Sequence, residues 1–372
     1  LLDLASGKQT AISLPVGACP DFPAWSPDGR HFAFDNTTDA GVELWVGSVA
    51  DARVRRIEGV QLNTVLGNEL QWLGGKGELL VKLVPDGLGP APQKAAVPPG
   101  PEMKEAIAGK GESSTYEARD TLSGPEDEAL FEYYATSQLA TVDIASGKVT
   151  KVGRPGVQST VDAAPDGRHV RVQLLKRPYS YVTTYNRFAH DVIVIDLADG
   201  TQRTVASLPV ADRVPVQGVP SGPRGFSWRA NQPATLMWAE ALDGGDWKTE
   251  VPARDRLLTL AAPFTAQPLE FAKVKQRFAA MAWFQQGSQA LLYEYDANRN
   301  WQTSTLIDAD RPGSTGRVLW DLSSDELYAD PGNPQFRILA NGAAVLREDD
   351  GDLFLAGAGL AAQLAPYHRV LM

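Results

Sequence analysis

Arginine and tyrosine side chains are concentrated between Leu174 and Phe188, where the sequence reads LLKRPYSYVTTYNRF. These fifteen residues contain two arginines and four aromatic rings. A planar guanidinium can bind a carboxylate through two parallel hydrogen bonds, so Arg177 and Arg187 are candidates for holding an acidic group. The alternative is that each arginine forms an ion pair with a neighbouring strand.

The tyrosines of the same stretch are spaced as residues on one face of a strand. Tyr179, Tyr181 and Tyr185 alternate with smaller or polar residues, and alternate residues of a strand point to the same side. The spacing predicts that the stretch is a long hairpin. Its tyrosines then either pack between neighbouring sheets or frame a binding passage.

The sequence contains no serine or histidine in the spacing that serine peptidases or metalloenzymes require. A nucleophile elbow needs G-x-S-x-G, and none of the serines has glycine on both sides at that spacing. His31 and His169 each follow a Pro-Asp-Gly-Arg turn, which predicts structural roles at hairpin ends. Asp243 and Asp246 lie in a glycine-rich loop and define no acid–base pair by themselves. We expect no catalytic triad, no metal site and no cofactor in this chain.

Composition restricts the partners of the protein. The 372 residues carry a net charge of −10, which argues against binding to nucleic acid through phosphate contacts. An acidic ligand therefore needs a local arginine site rather than a diffuse field. Cys19 is the single cysteine, so an intramolecular disulfide is excluded. Lacking an apolar run of membrane-spanning length, the chain is expected to be soluble, in the periplasm or the cytoplasm.

A strand–turn–strand pattern recurs along the chain. AWSPDGRHFAF (24–34) and DAAPDGRHVRV (162–172) are two examples, and each is followed by a second hairpin pattern, as in DVIVIDLADGTQRTVA (191–206). Two hairpins make one four-stranded sheet, and such sheets in tandem indicate a β-propeller. The predicted blades cover residues 17–59, 62–153, 156–208, 214–274, 277–323 and 328–372.

The predicted fold class is all-β: a β-propeller with six complete four-stranded blades and part of a seventh. The partial blade is the hairpin at 1–14, which has no inner hairpin before it. The second blade carries an insertion at 84–131 that is rich in proline and glycine, with a short helix predicted around Thr115 to Leu122. We expect residues 85–126 to be mobile and to lie at the mouth of the propeller.

Several of these stretches resemble the β-propeller domain of glutamyl endopeptidases, which belong to the prolyl oligopeptidase family of serine peptidases. The stretches that carry the resemblance include DEALFEYYATSQLA (127–140), KRPYSYVTTYNRF (176–188), PVQGVPSGPRGFSWR (215–229) and RDRLLTLAAPF (254–264). The resemblance implies a propeller followed by an α/β-hydrolase domain that bears a Ser-Asp-His triad and cleaves peptides after glutamate. It implies that the hydrolase domain lies beyond Met372, and that the propeller admits and positions the peptide substrate.

Glutamate preference, as the resemblance implies it, requires cationic groups near the substrate. The candidate residues are Arg177, Arg187 and Arg224, with Tyr179 and Tyr181 framing the passage. Two other classes of protein stay open. The chain fits a stand-alone propeller that acts as a protein-interaction scaffold. A propeller enzyme with a metal or carboxylate cluster in its channel would need acidic or histidine residues at the inner strands, where mainly apolar and small residues occur.

Overall fold

The computed structural model describes residues 1–67, 69–75, 77–93, 120–326 and 329–357, together with the backbone of 367–371. These residues form an all-β structure into which a single α-helix is inserted. They fall into two compact units, one made mainly of residues up to 212 with 340–342, the other of residues 213–339 and those after 342. No helix in these ranges is long and apolar enough to cross a membrane.

Unit one contains three four-stranded antiparallel sheets in tandem. The first consists of β1 (Ala24–Trp25), β2 (His31–Thr38), β3 (Gly41–Ser48) and β4 (Val54–Leu62). The second consists of β5 (Leu70–Trp72), β6 (Glu78–Leu83), β7 (Thr136–Asp143) and β8 (Val149–Lys151), with α1 (Pro125–Ala135) before β7. The third consists of β9 (Gly156–Ala163), β10 (His169–Leu175), β11 (His190–Asp196) and β12 (Gln202–Leu208). Short pairings at strand ends, of β4 with β6 and of β7 with β9, link the three sheets.

Unit two contains two further sheets of the same kind. One consists of β13 (Arg224–Trp228), β14 (Thr235–Ala241), β15 (Asp255–Ala261) and β16 (Leu269–Val274), and the other of β17 (Arg277–Trp283), β18 (Gln289–Asp296), β19 (Trp301–Asp308) and β20 (Arg317–Ser323). In both sheets every strand pairs with the strand that precedes it in the sequence. The paired hairpins predicted from the sequence are therefore present.

The strands that follow are shorter and are divided between two small sheets. They are β21 (Asn333–Pro334), β22 (Phe336–Ile338), β23 (Ala344–Leu346), β24 (Glu348–Asp349), β25 (Asp352–Ala356) and β26 (Tyr367–Leu371). In one sheet β25 pairs with β21, β24 and β26, and in the other β22 pairs with β23. At the other end of the chain, the predicted hairpin at 1–14 forms a single bridge between Leu2 and Gln9. The number of blades and their closure into a ring stay predictions.

The insertion in the second sheet differs from its prediction where it can be compared. Residues 115–119 of the predicted short helix, and most of the segment expected to be mobile, lie outside the described residues. Asp120–Leu122 are not helical. The helix of the described part is α1, which begins after Gly124 with a proline in its first turn and three acidic residues near its N-terminus. Proline and acidic residues are both favourable there, because the first N–H groups lack partners and carry partial positive charge.

Each central strand of unit one buries both of its faces. In β6, Leu79 and Val81 pack against the first sheet, where Leu44 is a contact. Leu80, which lies between them, packs against Val170 of the third sheet. Because successive side chains of a strand point in opposite directions, packing on both faces requires an apolar residue at nearly every position.

In unit two, alternate residues of a central strand likewise pack into two different cores. In β18, Ala290 and Leu292 pack with the preceding sheet, where Met237 belongs to the same core. Leu291, between them, packs with Leu346 of β23 and with residues of β25. Successive sheets within a unit therefore lie face to face, which leaves their ends as the places where polar groups can be exposed.

A Pro-Asp-Gly-Arg turn begins the second strand of two sheets, as the sequence predicted. Its glycines, Gly29 and Gly167, have φ values of +68° and +61°, which L-residues rarely adopt. Asp28 and Asp166 accept backbone N–H groups two residues later. These interactions close the hairpins and account for the recurrence of the pattern.

The second of these turns is also held by charged side chains. His169 lies 2.6 Å from Asp166 through Nδ1, and Arg168 donates two hydrogen bonds to Asp196 at 2.7 and 2.5 Å. Those bonds are the main reason why the pKa of Asp196 is lowered to about 2. His169 thus has the structural position that the sequence indicated.

We predict that Asp196→Asn lowers the free energy of unfolding by about 1 kcal/mol at pH 7, a figure that allows for solvent screening of the exposed Arg168. Because the pKa of Asp196 is depressed in the folded state, its contribution is complete above the unfolded pKa of about 4 and is lost as the pH falls toward 2. Urea unfolding at pH 7, 5 and 3 measures the free energy of unfolding of both proteins, and the difference between them should become smaller as the pH falls. Asp39→Asn, in an exposed turn, is the control, and a difference that is constant with pH would contradict the assignment.

Candidate functional site

In the second and third sheets of unit one and in the first sheet of unit two, the longest connection joins the second and third strands. In a four-stranded antiparallel sheet, the segment joining the second and third strands lies at the same end as the entry to the first strand and the exit from the fourth. We call this the loop-bearing end. In unit one it carries α1 and residues 176–189, and in unit two it carries residues 213–223, 242–254, 275–276 and 297–300. All five residues predicted to bind substrate lie at a loop-bearing end: Arg177, Tyr179, Tyr181 and Arg187 in unit one, and Arg224 in unit two.

The arginine- and tyrosine-rich stretch of unit one forms the long loop of the hairpin of β10 and β11, so the prediction that its tyrosines share one face of a strand was wrong. Strand pairing ends at Leu175 and His190, and a short 3-10 helix occupies Tyr185–Arg187. Tyr179 is 4% exposed and Tyr185 is 41% exposed, so the tyrosines do not share one face. The reason is a non-local contact: Tyr179 packs with Phe188, at 5.2 Å between ring centroids, and with Phe131 of α1, at 5.4 Å.

Arg177 is neutralised by two carboxylates of α1. Its Nε and Nη2 donate to Glu132 at 3.3 and 2.7 Å, and its Nη1 donates to Glu128. Tyr179 and Tyr181 complete the cluster by donating hydroxyl hydrogen bonds to Glu132 at 3.1 Å and to Glu128 at 2.7 Å. Burial, reinforced by Glu132, raises the pKa of Tyr179. With one positive and two negative groups, this cluster has no surplus positive charge with which to attract an acid.

Arg187 differs from Arg177 because its guanidinium is unpaired. Its backbone carbonyl accepts the N–H of Ala211, while its half-buried side chain forms no ion pair or hydrogen bond with any residue in the described ranges. Of the two arginines in this loop, Arg187 is the one that is available to a ligand.

Arg224 belongs to a cluster of three arginines and two aspartates in unit two. Asp255, fully buried, accepts hydrogen bonds from Arg224, from Nη1 of Arg277 at 2.9 Å and from the N–H of Phe278 at 2.7 Å. Asp243 accepts hydrogen bonds from Nη1 of Arg254 at 2.8 Å and from Nη2 of Arg277 at 2.5 Å. Arg277 therefore bridges the two aspartates. We call these five residues the arginine–aspartate cluster.

The topology brings the cluster together. Arg224, Asp255 and Arg277 are the first residues of β13, β15 and β17, and Arg254 directly precedes β15. First and third strands of antiparallel sheets begin at the same end, so charged residues at these starts converge. Sequence reasoning proposed Arg224 but missed Arg254 and Arg277. It also set Asp243 aside as a loop carboxylate. The sequence signal that could have revealed Arg254 and Arg277 is an arginine at, or directly before, the start of β13, β15 and β17.

The electrostatics of the cluster are set by burial and by pairing. Burial by itself would raise the pKa of Asp243, but hydrogen bonds from Arg277 and Arg254 outweigh it and lower that pKa. Burial lowers the pKa of Arg224, and the charge of Asp255 opposes this. Three positive groups face two negative ones, so the cluster carries a net positive charge inside an acidic protein. No group of three or more His, Cys, Asp or Glu residues in the described part of the chain is arranged to hold a metal ion.

We predict that Asp255→Ala lowers the free energy of unfolding by roughly 3–5 kcal/mol, because it leaves two largely buried guanidinium groups without their shared acceptor. Asp246→Ala, in the same connection but outside the cluster, should change it by less than about 1 kcal/mol. Chemical denaturation followed by tryptophan fluorescence measures both. Equal effects of the two substitutions would show that the cluster does not hold unit two together.

Comparison with known proteins supports a relationship that covers nearly the whole chain. No protein-family model matches it. It is 32% identical over 374 residues to a protein of Oryza sativa subsp. japonica named probable glutamyl endopeptidase, chloroplastic, and the match covers 95% of this chain and 39% of that protein. It is also 32% identical to the protein of the same name in Arabidopsis thaliana, covering 96% of this chain and 38% of that one.

Two solved structures share the fold with a TM-score of 0.50. A prolyl endopeptidase is 12% identical, and the match covers 94% of this chain and 41% of the other. An oligogalacturonate lyase in complex with manganese is 11% identical, with 94% and 75% covered. Because a peptidase and a lyase both share this fold, the fold alone does not define a reaction. The sequence relationship is more specific and confirms the resemblance found in the sequence: this chain is a homologue of the two proteins named probable glutamyl endopeptidase, chloroplastic, over nearly its whole length, and it spans about two fifths of theirs.

Proposed function

We propose that this chain is the non-catalytic β-propeller domain of a serine peptidase that cleaves peptides after glutamate. In this proposal it admits and positions the peptide for an α/β-hydrolase domain encoded elsewhere in the same gene. The observation that carries the proposal is the 32% identity to two probable glutamyl endopeptidases across 95–96% of this chain but under two fifths of their length. The lack of a G-x-S-x-G sequence in these 372 residues agrees with it.

The propeller itself is part of the proposal. Tandem four-stranded antiparallel sheets that pack face to face are the building blocks of propellers. We assign the five regular sheets to the predicted blades at 17–59, 62–153, 156–208, 214–274 and 277–323, although β4 extends to Leu62, beyond the first of these ranges. We propose residues 328–372 as a sixth blade and residues 1–14 as part of a seventh.

In each unit, the loop-bearing ends are the proposed substrate-binding ends. They carry the long connections, both groups of arginine side chains and the five residues predicted to bind substrate. Arg187 is free to meet an acidic side chain, and the buried Tyr179 and half-buried Tyr181 support the same loop. Arg177 can contribute only where a substrate displaces Glu128 or Glu132 from it, because all three of its guanidinium nitrogens already donate to these residues.

We predict that the 372-residue chain by itself hydrolyses no glutamyl peptide reporter, because it lacks a nucleophile elbow. The full product of the gene should cleave a glutamyl reporter in preference to a matched glutaminyl reporter, and a serine-directed reagent should inactivate it. Hydrolysis by the chain alone, with labelling of Ser227 or Ser314, would contradict the non-catalytic assignment. A full product without peptidase activity would favour the interaction scaffold instead.

We predict that Arg187→Ala and Arg177→Ala differ in the full product. Loss of a charge-assisted contact at Arg187 should reduce turnover of the glutamyl reporter by roughly 1.5–3 kcal/mol in transition-state free energy and leave the glutaminyl reporter unchanged. Arg177→Ala should lower the melting temperature and preserve selectivity, since it unpairs Glu128 and Glu132. Kinetics on both reporters, together with thermal unfolding, separate the two roles. Equal losses on both reporters for Arg187→Ala would assign it a structural role.

A further inference from the structure

The arginine–aspartate cluster has more hydrogen-bond donors than acceptors. Nη1 of Arg224 and Nε of Arg277 are buried and have no partner among the residues that the structure describes. Nε and Nη2 of Arg254 likewise donate to no acceptor in the described residues, and this side chain is 26% exposed. Buried donors normally find acceptors, because an unmade hydrogen bond costs about 1–3 kcal/mol. Unpartnered donors on adjacent arginines therefore indicate a place for an additional acceptor.

A crevice lies against the exposed side of this cluster. It is small, with a volume of about 20 Å³, and its lining includes Arg254, Arg277, Gln276, Trp247, Tyr295 and Asp296. The polar tips of the two aromatic residues are already engaged. Trp247 donates to the carbonyl of Val216 at 3.0 Å, and Tyr295 donates to Asn300 at 2.9 Å. Their rings are thus held in place as apolar walls beside two guanidinium groups.

We propose that this crevice binds a carboxylate carried by a peptide, and that the guanidinium groups of Arg254 and Arg277 receive it. A carboxylate supplies acceptor oxygens in a plane, which is the arrangement that a guanidinium binds best. The surplus positive charge of the cluster favours an anion over a neutral amide. The identification of the ligand as a peptide rests on the proposed function, whereas the site itself rests on the geometry.

Two further acidic groups face the same region and limit its affinity. Glu294 accepts the N–H of Gln276 at 2.9 Å, and burial raises its pKa, which favours its neutral form. Asp296 lies on the rim, where it accepts the N–H of Asn298 at 3.0 Å. The charge of Asp296 opposes an incoming anion, so neutralising it should strengthen binding.

The test is a direct binding titration of the 372-residue chain with blocked tetrapeptides that contain either glutamate or glutamine. Two further probes are a neutral peptide with a free C-terminal carboxylate and inorganic phosphate. The glutamyl peptide should bind at least about tenfold more tightly than the glutaminyl peptide. Arg254→Gln should remove most of that preference. Asp296→Asn should increase the affinity for the glutamyl peptide and leave the glutaminyl peptide unchanged.

Arg256→Gln is the matched control. Arg256 lies two residues from Arg254 and pairs with Glu240 at 2.6 Å, outside the crevice lining. Asp243 keeps Arg277 as a partner in the Arg254→Gln variant, and near-ultraviolet circular dichroism checks that this variant is folded. If Arg254→Gln does not fold, Asp296→Asn still tests the proposal. A crevice with only a structural role would not gain affinity for the glutamyl peptide alone when Asp296 is neutralised.

Several results would overturn the proposal. They are equal binding of the glutamyl and glutaminyl peptides, equal effects of Arg254→Gln and Arg256→Gln, or binding of phosphate alone. Binding of the peptide with a free C-terminal carboxylate would support the site and identify the chain terminus as a ligand. Because binding is measured without catalysis, a full gene product that lacks peptidase activity would remove the proposed function and leave this site intact.

Discussion

The structure depends on central strands, such as β6 and β18, that are buried on both faces. In β6, Leu79 and Leu80 contribute to two different cores, and in β18, Leu291 and Leu292 do the same. A sheet that is packed on both faces has little room for polar chemistry along its strands. Most buried charged side chains, among them Glu128, Asp243 and Asp255, accordingly lie in α1, in connections or at strand starts, and Lys82 of β6 and Arg171 of β10 are exceptions. The loop-bearing ends are functional candidates for this reason.

The two arginine groups differ in how completely their charges are balanced. Arg177 pairs with two glutamates of α1. The group therefore has a net negative charge and no free guanidinium nitrogen, and it holds α1 against the loop that contains Arg177. The arginine–aspartate cluster is also tightly paired, but it retains one positive charge and several free N–H groups. Both groups contribute to structure, and only the second also has the charge and the donors that an acidic ligand needs.

The sequence predicted the parts of the fold that local chemistry determines. Alternating apolar residues and Pro-Asp-Gly turns identified the hairpins, because strand period and positive φ are properties of neighbouring residues. The sequence pattern led to a wrong prediction for Tyr179 and Tyr181, because their alternate spacing is the spacing of residues on one face of a strand. Their positions are set by Glu132 and Glu128, which lie 47 and 53 residues away in the chain. It also failed at Asp243, because nothing in a glycine-rich loop indicates that Arg254 and Arg277 will meet there.

The arrangement around Asp243 and Asp255 is costly as pure structure. Taking an ion pair out of water carries a penalty that its attraction often does no more than repay, so well-packed apolar side chains of similar size would serve at least as well. Two arginines would suffice to pair two aspartates. The third adds charge repulsion and leaves donors buried without acceptors. A group of this composition is explained more simply when one acceptor comes from outside the chain, and the aromatic-walled crevice beside Arg254 and Arg277 is where such an acceptor can enter.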